Sequence, residues 1–218
     1  MNKKAFAVLG LGKFGIGVAD ELMERGAEVL VVDRNERLIE QHAGKYTQAV
    51  IADLADVEQI KELGLGNMEA VIVSMAQDLE ASIMCVMIAR ESGVHRIIAK
   101  AENIRKGEIL KKVGATQIIY PEQESGARTA LQLMSRDILQ FFDLSSDLVF
   151  VEMIPHKEWE GKVLSELKLR PKYGINVVAV RKGEKVQPVN NPDIVIRKEE
   201  PLLIVISKEQ LEKLERNT

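Results

Sequence analysis

The chain has 218 residues, enough for one large domain or for two small ones with separate cores. Hydrophobic residues make up 46% and charged residues 29%, the balance of an ordinary soluble globular protein, not of a disordered or fibrous one. The formal net charge of −3 is not the basic excess of a nucleic-acid binder, so nucleic acid is not expected as a partner.

Apolar runs such as "EVLVVD" and "PLLIVI" fall far short of the roughly 20 residues that span a bilayer. A glycine-rich turn soon interrupts the apolar run that follows the two N-terminal lysines, so no signal peptide is read. The lone cysteine, Cys85, excludes an internal disulfide and sits in "ASIMCVMIA", where buried packing is its expected role. The expected compartment is the cytoplasm.

In chain order, strands are predicted at Ala5–Leu9, Glu28–Asp33, Gln48–Ile51, Ala70–Ser74, Arg96–Lys100 and Gln117–Tyr120. Amphipathic helices separate them at Phe14–Arg25, Glu36–His42, Val57–Leu63, Leu79–Glu91 and Ile104–Val113. Gly26, Gly64, Gly93 and Gly114 punctuate the helix ends. This alternation indicates βαβ units, and the near-continuous apolar runs "VLVV" and "AVIV" fit parallel strands buried on both faces. The fold class is therefore α/β, a doubly wound parallel sheet.

The rhythm changes after Pro121. A helix is predicted from Pro121 to Ser135 and a shorter one from Arg136 to Phe142. A second block then carries a strand at Leu148–Ile154, a helix at Lys162–Leu167 and a strand at Asn176–Arg181. A turn at "KGEK", a strand at Leu202–Ile206 and a helix at Lys208–Arg216 complete it. This block reads as a small α+β domain.

"AFAVLGLGKFGIGVADEL" places Gly10, Gly12 and Gly15 between a strand and a helix as G-x-G-x-x-G. In this context the first glycine makes the tight turn, the second admits a pyrophosphate, and the third lets helix and strand pack closely. The helix N-terminus offers N–H groups and partial positive charge to phosphates. Asp33, ending the second strand, can accept hydrogen bonds from ribose hydroxyls and disfavours a 2′-phosphate. NAD(H), ATP, ADP and AMP all satisfy these features.

No catalytic constellation accompanies the loop. His42, His95 and His156 read as solvated surface residues, and no Tyr-x-x-x-Lys set, metal-ligand cluster or serine elbow is present. A nucleotide site without chemistry points to sensing, in which binding shifts a conformational equilibrium. An NAD-dependent oxidoreductase is the alternative, supported by the glycine loop and Asp33 alone.

The order "FAVLGLGKFG", "EVLVVDRNE", "AVIADLADVEQIKELGLGNMEAVIVSM", "IIAKAEN", "LKKVGATQIIYPE" and "LRPKYGINVVAVRKGE" resembles the RCK (regulator of potassium conductance) proteins. Within them it is most similar to the TrkA-like cytosolic gating subunits of Ktr-type bacterial potassium transporters. The resemblance covers nearly the whole chain. It implies a Rossmann-like RCK_N domain with a crossover helix at 1–134, followed by an RCK_C domain at 135–218. It also implies a homodimer that assembles into an octameric ring at the inner face of the membrane, docked on a potassium-translocating subunit. A regulator of some other ion transporter is the neighbouring alternative.

By residue match, the resemblance assigns the nucleotide loop to Gly10, Gly12, Lys13, Phe14 and Gly15, and the ribose side to Asp33, Arg34 and Asn35. Asp53 and Leu54 would flank the adenine, and Ser74, Met75, Ala76 and Lys100 would lie beside the phosphates. Glu122, in the "PE" motif, would lie near the phosphates of a neighbouring protomer, with Mg²⁺ or another cation between them. Lys13 stands where close relatives usually carry arginine, replacing a planar fork with a point charge. "RPKYGINVVAV" resembles a cyclic di-AMP site in a dimer cleft, with Arg170 pairing a phosphate and Asn176 and Val177 contacting the ligand.

Overall fold

The computed structural model describes residues 3–42, 44–135 and 137–216. The chain divides into two compact units between Gln123 and Glu124.

In the first unit, strands β1 (Ala5–Leu9), β2 (Glu28–Asp33), β3 (Gln48–Ile51), β4 (Ala70–Val73), β5 (Ile97–Lys100) and β6 (Gln117–Ile119) form a six-stranded sheet in the order β3-β2-β1-β4-β5-β6. Every pairing is parallel. Helices α1 (Lys13–Glu24), α2 (Glu36–His42), α3 (Val57–Glu62), α4 (Leu79–Glu91) and α5 (Ile104–Val113) connect the strands.

Alternation along the strands divides their side chains between two cores. Ala7, Leu9, Leu30, Val32, Val71 and Val73 point to one face, where they meet Ile60 of α3, Cys85 and Val86 of α4 and Leu110 of α5. Val8, Val29, Val31 and Ile72 point to the other, against Ala19 of α1 and Ile39 of α2. Each fully buried aliphatic side chain contributes about 1.5–3 kcal/mol, which is why these strands read as continuous apolar runs. The strand order reverses direction between β1 and β4, and a crevice opens beyond the C-terminal ends of strands at such a switch point.

Helix α6 (Pro121–Met134) follows β6. Every described side chain from Glu122 to Met134 is exposed, including Leu133 at 82% and Met134 at 85%.

The second unit is an antiparallel five-stranded sheet in the order β10-β9-β11-β8-β7. Its strands are β7 (Ile138–Asp143), β8 (Leu148–Met153), β9 (Asn176–Lys182), β10 (Lys185–Pro188) and β11 (Leu202–Ser207). Short helices α7 (Leu164–Leu167) and α8 (Leu169–Tyr173) and the terminal α9 (Lys208–Arg216) complete it. The core gathers Val149, Val151, Trp159, Leu202, Ile204 and Leu211. Glu152 is buried on β8, and its carboxylate is met bidentately by the Arg181 guanidinium of β9.

The structure corrects the second block in several places. The segment predicted as a helix at 136–142 is strand β7, although Arg136 itself lies outside the described residues. The "KGEK" turn leads into a strand, β10, that the sequence reading lacked. The helix predicted at Lys162–Leu167 begins at Leu164 and is followed by α8, with Lys168 between them at φ 50°.

Candidate functional site

A cleft of about 380 Å³ opens at the switch point. The β1–α1 loop forms its floor. Gly10 has φ 93°, where a side chain is strained, and a Cβ there would also strike Ser74 and Met75. Its N–H donates to the Val32 carbonyl at 2.8 Å, and its carbonyl accepts from Ser74 Oγ at 2.5 Å. A Cβ on Gly15 would run into the Gly10 carbonyl oxygen. Gly12 differs, because nothing lies within 4 Å of where its Cβ would be. Its missing side chain leaves an open cradle in the cleft.

Gly12 is also the N-cap of α1. No side chain caps this end, and the first turn carries no acid. By contrast, Asp56, Asp78 and Asn103 accept backbone N–H bonds at the starts of α3, α4 and α5. The first four N–H groups of any helix lack intrahelical partners. At α1 they are offered to the cleft, as an anion requires.

Asp33 fixes the opposite wall. Its Oδ2 accepts from Leu11 N at 2.7 Å and its Oδ1 from Asn35 N at 2.9 Å. Both oxygens retain lone pairs for ribose hydroxyls. Arg34, Asp53 and Leu54 extend this wall, and Asp53 is oriented by the Ala55 N–H at 3.0 Å. Ser74, Met75, Ala76 and Lys100 close the far side. These residues fit a phosphate chain and a ribose: an open glycine cradle, an uncapped helix terminus, an oriented carboxylate and flanking cations.

Other predicted residues fall outside the lining. Lys13 is exposed at the first position of α1. Phe14 packs on the core beneath α1, with Lys100 Nζ 5.9 Å from its ring centre. Gly15 serves packing. Asn35 caps α2, accepting from Leu38 N at 3.3 Å. Glu122 is ion-paired with Lys100 at 2.5 Å, and Lys100 holds its carboxyl below the usual carboxylate range. Among the described residues, no group of three or more His, Cys, Asp or Glu side chains is placed to hold a metal ion.

Gln77, Asp78 and Ala81 line the cleft and were absent from the predicted set. Their signal was position: they follow β4, one of the two strands at the reversal of strand order.

The histidine reading needs correction. His95 is exposed, but His42 is half-buried with its ring 6.1 Å from Tyr46. His156 is half-buried and stacks on the buried Trp159 at 4.5 Å. Cys85 is buried as expected, and burial pushes its thiol up to about 12.

The TrkA-N domain matches residues 6–121 and the TrkA-C domain residues 148–218. The chain is 36% identical to Ktr system potassium uptake protein C of Bacillus subtilis over 98% of this chain and 97% of that protein. The chain belongs to the TrkA family. Ktr system potassium uptake protein A of Vibrio alginolyticus is 35% identical over 93% of this chain and 91% of its own length. Among solved structures, the GsuK RCK domain shares the fold at TM-score 0.67 and 19% identity, covering 99% of this chain but only 47% of that one. The NAD(P)-binding domain of an exopolyphosphatase-related protein from Archaeoglobus fulgidus aligns at TM-score 0.51 and 25% identity, over 59% of this chain and 96% of its own.

In this TrkA-family chain the residues matched to a second ligand lie apart from any cleft described in the second unit. Arg170 is exposed on α8 and Asn176 is exposed at the start of β9. Val177 packs partly against the second core. No helix among the described residues is long and apolar enough to cross a membrane.

Proposed function

We propose that the chain is a non-enzymatic regulatory subunit of a potassium uptake system that senses an adenine nucleotide in the β1–β4 cleft. The observation that carries this reading is the near-full-length identity to Ktr system potassium uptake protein C, which spans the glycine loop and the small domain together. ATP and ADP are the proposed ligands. NAD(H) is the second reading, favoured by the likeness to the Archaeoglobus NAD(P)-binding domain. In either case Asp33 selects a free ribose against a 2′-phosphate.

The resemblance further supports a homodimer assembled into an octameric ring, cytoplasmic and docked on a membrane potassium-translocating subunit. Helix α6, with Leu133 and Met134 exposed at its end, is the proposed dimer contact, and 134/135 is the proposed functional boundary. A cation at Glu122 would place positive charge between that carboxylate and a partner's bound phosphates. Cyclic di-AMP is proposed to bind where two copies bring Arg170, Asn176 and Val177 together, the first two being exposed on the single copy.

The test is calorimetric titration of the purified chain with ATP, ADP, NADH and cyclic di-AMP, alongside NADH absorbance and co-purification of the membrane subunit. Saturable adenine-nucleotide binding, constant NADH absorbance and retention of that subunit are expected. Steady NADH oxidation, or no binding of any nucleotide, overturns the reading.

A further inference from the structure

Lys100 ends β5 at the mouth of the cleft, and its side chain is only 14% exposed. Its Nζ lies 2.5 Å from Glu122 Oε1, whereas the Glu122 side chain is 71% exposed in the first turn of α6. Next to it, Gln123 Nε2 donates to the Glu102 carbonyl at 3.3 Å, so the start of α6 is fastened at two adjacent residues to the end of β5 and the segment just after it. Lys100 and Arg34 are the basic side chains that line the cleft, against the carboxylates of Asp33, Asp53 and Asp78. Lys100 is thus one of two lining cations available to a polyphosphate in this cleft, and it already holds a carboxylate.

We propose that the ligand's outer phosphate and Glu122 compete for Lys100, so that a nucleoside di- or triphosphate draws the ammonium inward and unfastens the first turn of α6. This rests on the nucleotide reading of the cleft. The exchange is cheap on both sides. Released Glu122 is already largely in water and regains its hydration, while the flexible lysine stem can swing its three donors to a phosphate. A ligand without a phosphate chain has nothing to set against Glu122. The Glu122–Lys100 pair thus couples the presence of a phosphate chain to the first turn of α6.

The probes are ADP, inorganic pyrophosphate and adenosine, titrated in EDTA so that no divalent cation bridges Glu122 to phosphate. Glu122→Gln removes the competitor and tightens ADP and pyrophosphate by about two- to fivefold, the range of a partly exposed ion pair. Adenosine affinity stays unchanged. Lys100→Met weakens ADP, and adding Glu122→Gln to it restores nothing. ADP affinity in Glu122→Gln that equals or falls below wild type overturns the competition while leaving the nucleotide site intact. So does equal tightening in the Lys100→Met background, because the effect is then one of general charge. A wild-type chain that binds neither ADP nor pyrophosphate overturns the competition together with the nucleotide reading.

Discussion

Gly12 and Gly15 belong to one motif but answer to different demands. Gly15 is constrained by the protein itself, since a methyl there meets the Gly10 carbonyl. Gly12 has φ −68° and ψ 176°, which any residue adopts, and open space beside it. Gly15→Ala should therefore cost about 1–3 kcal/mol by overpacking and lower the melting temperature. Gly12→Ala should stay within about 1 kcal/mol of wild type, yet lose nucleotide binding because the methyl fills the cradle. Thermal melts paired with calorimetric titration separate the two. The motif made both glycines legible in the sequence. It did not reveal Gln77, Asp78 and Ala81, whose types carry no nucleotide signal and whose place at the cleft follows from the sheet order. Nor did it reveal that Lys100 and Glu122, each assigned to the ligand, hold one another.

Among the elements, legibility tracked burial. The central parallel strands β1, β2 and β4, largely enclosed on both faces, wrote themselves as apolar runs and agree with the sequence reading nearly to the residue. Strand β7 lies at the edge of its sheet with Leu139 and Phe142 exposed, so its apolar residues do not alternate cleanly. Ile138, Phe141 and Phe142 fall at helical spacing, and "RDILQFF" read as a helix for that reason. Strand β10 is wholly exposed and ends on Pro188, which only an edge strand tolerates, so nothing in "KVQP" marked it.

The turn after β8 carries a consequence of its own. Burial against Trp159 lowers the His156 pKa, with Asp137 and Glu158 pulling weakly the other way. The unfolded chain therefore takes up the proton first as pH falls. Stability from this group is complete above the ordinary imidazole value of about 6.5 and is lost as pH drops through and below it. Unfolding followed by the fluorescence of Trp159, the only tryptophan, should show a melting temperature falling between about pH 7 and 5. His156→Phe, which keeps the stack and cannot titrate, should flatten that slope.

For the whole molecule, the two-unit plan was visible in the change of rhythm at Pro121. The functional reading came from the order of motifs along nearly the entire chain, because glycine loop, acid and small domain each occur in proteins of unrelated activity. The two units also differ in what can be seen of them from outside. The chain's one tryptophan lies in the second core and its one cysteine in the first. Cys85 is 0% exposed, its thiol is pushed up to about 12, and its Sγ contacts the Leu54 carbonyl at 3.7 Å, on a residue that lines the cleft. At neutral pH it is silent to thiol reagents until the first unit opens. Its rate of modification is thus a clock for that opening alone, and a nucleotide that calorimetry shows to saturate the chain, ADP under the proposed reading, should slow it by the factor that binding adds to stability. Modification at the same rate with and without ADP would trace Cys85 exposure to an opening that leaves the cleft formed. With Trp159 timing the second unit, the unaltered chain carries a separate clock in each half.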